Sequence, residues 1–187
     1  MIRAFIAVQI DAEVIDRISA AISELKPSVP GVRWAAPANF HLTLKFLGDV
    51  EETQIARIGA TLETQLHPFP RFTINAKGLG VFPDLRRPKI LWVGLAGSEL
   101  ASLVSRIETA LKPLDFAPEK RNFTPHLTIG RWRQTDRAPK TLGEILRSWK
   151  EYPFGSTNVD EVVLFQSVLK PEGAVHARLK TVTLNSD

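Results

Sequence analysis

Cysteine is missing from all 187 residues, and with it go disulfides, thiolate nucleophiles and the cysteine ligands of zinc or iron–sulfur centres. Any metal site has only His, Asp and Glu to draw on. Long apolar runs are missing too. Nothing approaches the roughly 18 residues of a membrane span, and the opening Met1-Ile2-Arg3-Ala4-Phe5-Ile6-Ala7-Val8 meets Asp11 too early for a secretory signal. The expected location is cytoplasmic, with no membrane partner. Low complexity is equally absent: 44% apolar and 24% charged residues describe an ordinary globular chain, long enough to bury a core and short for several independent domains. A net charge of +4 fits an anionic partner without requiring one. No coiled-coil pattern or partner helix is visible, so a monomer is expected.

What is present is periodicity. Val14, Ile15, Ile18, Ile22 and Leu25 fall on one helical face, predicting a helix from about Asp11, as cap, to Lys26. The same spacing predicts helices through Ile55, Ile58, Leu62 and Leu66, through Leu100, Leu103, Val104, Ile107 and Leu111 opened by Ser98, and through Leu142, Ile145, Leu146 and Trp149 with a Thr141–Glu144 capping box. Strands are expected at Arg3–Val8, Leu42–Leu47, Phe72–Ala76, Ile90–Leu95, Leu127–Arg131, Val159–Gln166 and Val175–Leu184, with turns such as Pro171-Glu172-Gly173 between elements.

After the first strand the order helix, strand, helix, strand, strand recurs from Ser98. The helix near Asp11 matches the one near Ser98, and His41-Leu42-Thr43-Leu44 matches His126-Leu127-Thr128-Ile129 at nearly the same offset. A duplicated α+β half follows, approximately 1–97 and 98–187, giving two pseudo-symmetric lobes within a single domain, each an antiparallel sheet backed by helices. On a strand His41 and Thr43 share one face while Leu42 and Leu44 pack on the other, and the second tetrad behaves likewise. One such tetrad is an ordinary sheet face. Two at matching points of a repeat, in a chain with only four histidines, can confront each other across a central groove.

Paired imidazoles suit displacement at phosphorus. One activates the attacking oxygen and the other protonates the leaving one, and an ordinary pKa near 6.5 lets one be neutral while the other is charged. Thr43 and Thr128 can donate hydrogen bonds to the non-bridging oxygens. A zinc site is the rival use of two histidines, but neither tetrad carries an acidic residue on its outward face, so no metal and no cofactor are expected. Arg131 is the expected cationic helper. Alternation would send it coreward unless a bulge at Gly130 re-aims it. Lys45 is expected on the face of His41 and Thr43 as a weaker substrate contact. Basic groups at Arg86-Arg87-Pro88-Lys89, Lys120-Arg121 and Arg131-Trp132-Arg133 would track a phosphate backbone if they rim one cleft, with Trp34, Trp132 and Phe82 as stacking candidates. His67 is read as structural.

These residues resemble the two-histidine phosphoesterase signature. Around them, Arg3-Ala4-Phe5-Ile6-Ala7, Asn39-Phe40-His41-Leu42-Thr43-Leu44-Lys45-Phe46-Leu47-Gly48, Gly80-Val81-Phe82-Pro83, Leu91-Trp92-Val93-Gly94 and Phe123-Thr124-Pro125-His126-Leu127-Thr128-Ile129-Gly130-Arg131 are similar to the RNA 2',3'-cyclic phosphodiesterase family, formerly called 2'-5' RNA ligases. The resemblance covers nearly the whole chain. It implies metal-independent hydrolysis of a terminal 2',3'-cyclic phosphate on RNA to a 2'-phosphomonoester, with His41 as proton donor and His126 as acceptor, and weak 2'-5' joining as the reverse reaction. The symmetry of the two tetrads leaves the donor and acceptor assignment open on sequence alone. The family pattern departs at His176, where tyrosine is expected after Ser167 and Gly173; His176 is read as a surface substitution. Two other readings stand beside this one: a phosphodiesterase of a small cyclic phosphate or a 2'-5' oligonucleotide, and a non-catalytic module that binds RNA ends.

Overall fold

A computed structural model describes residues 1–133, 138–170 and 173–185. In chain order the elements are β1 (Ile2–Gln9), α1 (Ala12–Leu25), β2 (Val32–Trp34), β3 (His41–Val50), α2 (Glu52–Leu66), β4 (Phe72–Phe82), β5 (Ile90–Ala96), α3 (Leu100–Leu111), β6 (His126–Trp132), α4 (Leu142–Ser148), β7 (Pro153–Val159), β8 (Glu161–Lys170) and β9 (Gly173–Thr183). The strands make two antiparallel sheets, one ordered β3-β1-β8-β9 and the other β2-β6-β5-β4-β7.

Alternation along β1 divides its side chains between two environments. Ala4, Ile6 and Val8 join the main core, whereas Phe5 and Ala7 cluster with Val163 and Phe165 on the opposite face. The helices bury the stripes their periodicity predicts: Val14, Ile18, Ile22 and Leu25 of α1, Ile58, Leu62 and Leu66 of α2, and Leu100, Leu103, Ile107 and Leu111 of α3. Each fully buried Leu or Ile contributes about 1.5–3 kcal/mol. That burial holds α1 against β7, and α2 against both β9 and α3.

The helix ends depart from expectation. Asp11 makes no side-chain cap to α1. Its carboxylate instead accepts the backbone N–H of Asn158 at 3.1 Å, and its own N–H donates to Thr157 Oγ1 at 3.1 Å, tying the start of α1 to β7. Ser98 does not open α3, because its hydroxyl is turned to the Glu99 carboxylate. Thr141 has helical dihedrals and makes no side-chain cap, so the expected capping box does not form. Two strands, β2 and β7, lie outside the sequence expectation. The first is only three residues long, and the second starts at Pro153 and contains Gly155 and Asn158, residues that weaken a strand pattern. The expected turn at Pro171-Glu172-Gly173 lies outside the described residues at its first two positions.

The lobes do not coincide with the two sequence halves. The first sheet takes β1 and β3 from residues 1–97 but β8 and β9 from the remainder, and the second mixes β2, β4 and β5 with β6 and β7. The exchange leaves the two tetrad strands, β3 and β6, in different sheets and packed against each other across the groove.

Candidate active site

Each histidine opens its strand and is held in the same way. His41 Nδ1 donates to the carbonyl of Asn39 at 2.7 Å, and His126 Nδ1 donates to the carbonyl of Thr124 at 2.7 Å. A carbonyl can only accept, so Nδ1 carries the proton and Nε2 is left as the reactive nitrogen of both rings. In both cases the acceptor stands two residues upstream of the ring it holds. Two separate tripeptides therefore prepare the same tautomer.

Aromatic walls set the electrostatics. The His41 ring lies 4.9 Å from Phe5 and 5.2 Å edge-on from His176, with Phe165 at 6.5 Å. His126 meets Phe82 edge-on at 4.9 Å and Trp92 at 6.4 Å. Burial pushes the His41 pKa down to about 4, with the charges of His176 and His126 acting in the same direction and the Asn39 hydrogen bond opposing. Burial also lowers His126; the Thr124 hydrogen bond opposes this and the Arg131 charge adds to it. In the free protein both imidazoles are thus neutral near pH 7, and the packing of β3 against β6 sets them on facing strands.

Both tetrads end in a bulge at the same place. In the β1–β3 ladder Ala7 faces Thr43 and Ile6 faces Lys45, so Leu44 is the extra residue. In the β5–β6 ladder Trp92 faces Thr128 and Leu91 faces Gly130, so Ile129 is the extra residue. A bulge reverses the alternation beyond it. Thr43 and Thr128 keep the faces of their histidines. The side chain expected beside them, Lys45, turns to the other side, where it is 6% exposed. Its ammonium donates to Glu108 Oε2 at 2.5 Å and to the Ala117 carbonyl at 2.9 Å. The expectation that Lys45 shares the face of His41 is therefore corrected. Phe46 takes that face instead and is 71% exposed. In β6 the same device sends Gly130 coreward, where a Cβ would meet Val32 Cγ1 at 2.4 Å, and turns Arg131 toward the face of Thr128.

Sequence reasoning misses Arg33. On β2 it stands directly opposite Arg131 of β6, so the two guanidinium groups share one face, an arrangement that is unfavourable without an anion. A three-residue strand offers too little alternation to be read in advance. The surface reading of His176 is corrected as well: the curl of the first sheet brings its ring against His41, although β9 lies three strands from β3. Trp92, legible in the sequence only as part of a motif, walls His126. His67 hangs at a surface, 3.3 Å from the Thr183 carbonyl. Of the basic groups, the backbone N–H groups of Arg86 and Arg87 donate to Asp84 in a turn, and Arg121 pairs with Glu119. Trp34 and Trp132 pack with the core. Among the described residues no group of three or more His, Asp or Glu is placed to hold a metal ion, and no helix is long and apolar enough to cross a membrane.

Comparison with known proteins agrees with this geometry. The model of the 2'-5' RNA ligase superfamily matches residues 7–170. Proteins named RNA 2',3'-cyclic phosphodiesterase are similar to this chain, several of them over nearly their full length. The one from Methanothermobacter thermautotrophicus is 34% identical over 184 residues, 98% of this chain and 99% of the relative. The one from Archaeoglobus fulgidus is 34% identical over 179 residues, 95% of this chain and 98% of the relative. Among solved structures, TT0787 of Thermus thermophilus superposes with a TM-score of 0.83 at 24% identity, covering 99% of both chains. E. coli LigT complexed with 3'-AMP gives 0.78 at 23% identity, again covering 99% of both. These structures share the fold of this chain, an α+β arrangement of two antiparallel sheets with helices.

Proposed function

The chain belongs to the 2'-5' RNA ligase superfamily, and from that premise we propose that it is a phosphodiesterase hydrolysing the terminal 2',3'-cyclic phosphate of RNA to a 2'-phosphomonoester without metal. The observation that carries this reading is the pair of identically held imidazoles, each with Nδ1–H fixed on a backbone carbonyl and Nε2 free.

In the proposed step a water molecule attacks phosphorus opposite the ribose 3' oxygen. His126 Nε2 takes the proton from the water, the new P–O bond forms, and the P–O3' bond breaks. The proton held by His41 Nε2 goes to the departing 3' oxygen. Because His41 is neutral in the free protein, it takes up its proton with the substrate, whose phosphate charge favours the imidazolium. The accepting role of His126, which burial and Arg131 keep neutral, follows the family resemblance. Thr43 and Thr128 donate to the non-bridging oxygens and Arg131 balances their charge. Arg33, beside Arg131, meets the next phosphate of an RNA strand, which favours oligonucleotides over mononucleotides. In the joining direction the same groups would open the cyclic phosphate with the 5' hydroxyl of a second strand in place of water, leaving a 2'-5' bond.

Phosphorus NMR of a cyclic-phosphate-ended oligonucleotide with the protein and excess EDTA tests the reading. Conversion of the cyclic signal to a 2'-monoester is expected, and His41→Ala and His126→Ala should each lose about 10²–10⁴-fold in rate. A 3'-monoester would reverse the choice of leaving oxygen. An unchanged spectrum, or turnover that returns only with added zinc or magnesium, would overturn the reading.

A further inference from the structure

His176 is a third imidazole in the cleft. It stands opposite Ser167 in the β8–β9 ladder, and the curl of the sheet folds its ring over Phe5, at 4.9 Å, and toward His41, at 5.2 Å with an interplanar angle of 86°. Together with Gln9, Phe40 and Arg178 it lines a small cavity beside His41. The two sides of the ring differ. Nδ1 is buried with no hydrogen-bond partner, whereas Nε2 is not among the buried unpartnered atoms. A buried N–H without an acceptor is costly, and a buried lone pair on an imidazole is the lesser penalty. The ring therefore carries its proton on Nε2. A second proton on Nδ1 would find no acceptor, so the ring is a neutral donor with one N–H free at the cleft.

The position of this donor is tied to that of His41 through a single residue. Asn39 accepts from His41 Nδ1 with its carbonyl, while its side-chain Nδ2 donates to the carbonyl of Ala174 at 2.9 Å, two residues before His176. One residue thus fixes the orientation of the first imidazole and the approach of the strand carrying the third.

We propose that His176 contacts the substrate, its neutral Nε2–H donating a hydrogen bond to a phosphate oxygen on the His41 side of the cleft. The proposal deepens the phosphodiesterase reading and rests on it. His176 transfers no proton; it holds charge on the oxygen while His41 and His126 exchange theirs. Its loss should consequently appear in turnover and not only in substrate affinity.

Steady-state kinetics on the cyclic-phosphate-ended oligonucleotide, with thermal melting as control, test this through two variants. His176→Phe keeps an aromatic body and removes the donor, and a fall in kcat of about 10–100-fold is expected, as for a hydrogen bond to a charged group. His176→Tyr returns an O–H donor at the end of a ring and should recover most of that loss. If the Phe variant matches wild type, or the Tyr variant is as impaired as the Phe variant while both melt like wild type, the proposal falls with the phosphodiesterase reading intact. A wild-type protein silent in the same assay would instead remove the reading and the proposal together. Should His176→Phe fold poorly, proton–nitrogen NMR of the wild-type histidines titrated with inorganic phosphate reads the same contact. A shift at His176 Nε2 is expected, and an unmoved signal overturns the proposal.

Discussion

At the scale of single residues, this cleft works by keeping imidazoles neutral. Three of the four histidines have pKa values pushed down chiefly by burial, His41 to about 4. Whichever of His41 and His126 acts as the acid, it must hold a proton that the free protein binds weakly. The alkaline limb of kcat/KM, which reports groups of the free enzyme, should therefore fall below the ordinary histidine value of about 6.5. A pH–rate profile still rising toward pH 7 would contradict this. The same shifts bear on stability. A group whose folded pKa is depressed contributes stability that is present above its unfolded pKa and lost as pH falls toward the folded one. For His41 that window runs from about 6.5 down to about 4, and the loss across it is on the order of 3 kcal/mol. Urea midpoints measured at pH 7 and pH 4.5 should differ accordingly, and by less in His41→Asn, which has no proton to gain. The histidines and threonines of the tetrads are legible from sequence because their chemistry and repetition are local. Their neutrality is not, because it comes from Phe5, Phe82, Trp92 and Phe165 on other strands.

At the scale of an element, the bulge at the last residue of each tetrad decides which side chains join the chemistry. The same one-residue insertion turns Lys45 away from the cleft and Arg131 into it. Alternation alone would have done the opposite in both cases. Lys45 becomes half of an ion pair whose side chains are only 5% and 16% exposed, joining β3 to α3. Removing one partner of such a pair strands the other charge, at a cost of about 3–5 kcal/mol. Lys45→Met is accordingly expected to lower the urea midpoint by several kcal/mol in equivalent stability while leaving kcat/KM nearly unchanged at temperatures where it is folded. Lost turnover with unchanged stability would return Lys45 to the cleft. The bulge at Ile129 could be anticipated from the neighbouring Gly130, whose missing Cβ leaves room for Val32. Its counterpart at Leu44 carries no such sign, since leucine is an ordinary strand residue and only the ladder with β1 shows it to be unpaired.

At the scale of the molecule, the exchange of strands between halves makes the two sheets inseparable. Neither sheet can be completed from residues 1–97 or from residues 98–187 alone. Each half expressed by itself should lack cooperative unfolding in a denaturant titration; a cooperative transition from either would show that the halves fold independently. This topology also builds the site. His41 with Phe5, and Phe165 with His176, come from opposite ends of the chain, and no short-range pattern joins them. By itself the sequence determined the helices, most strands, the paired tetrads and the chemistry those residues can perform, because spacing of apolar residues and repetition of a short motif act within a few residues of chain. Only the tertiary structure decided which face Lys45 and Arg131 take, that Arg33 stands beside Arg131, and that His176 enters the cleft. Those outcomes depend on ladder register and sheet curl, which arise from contacts between strands distant in sequence.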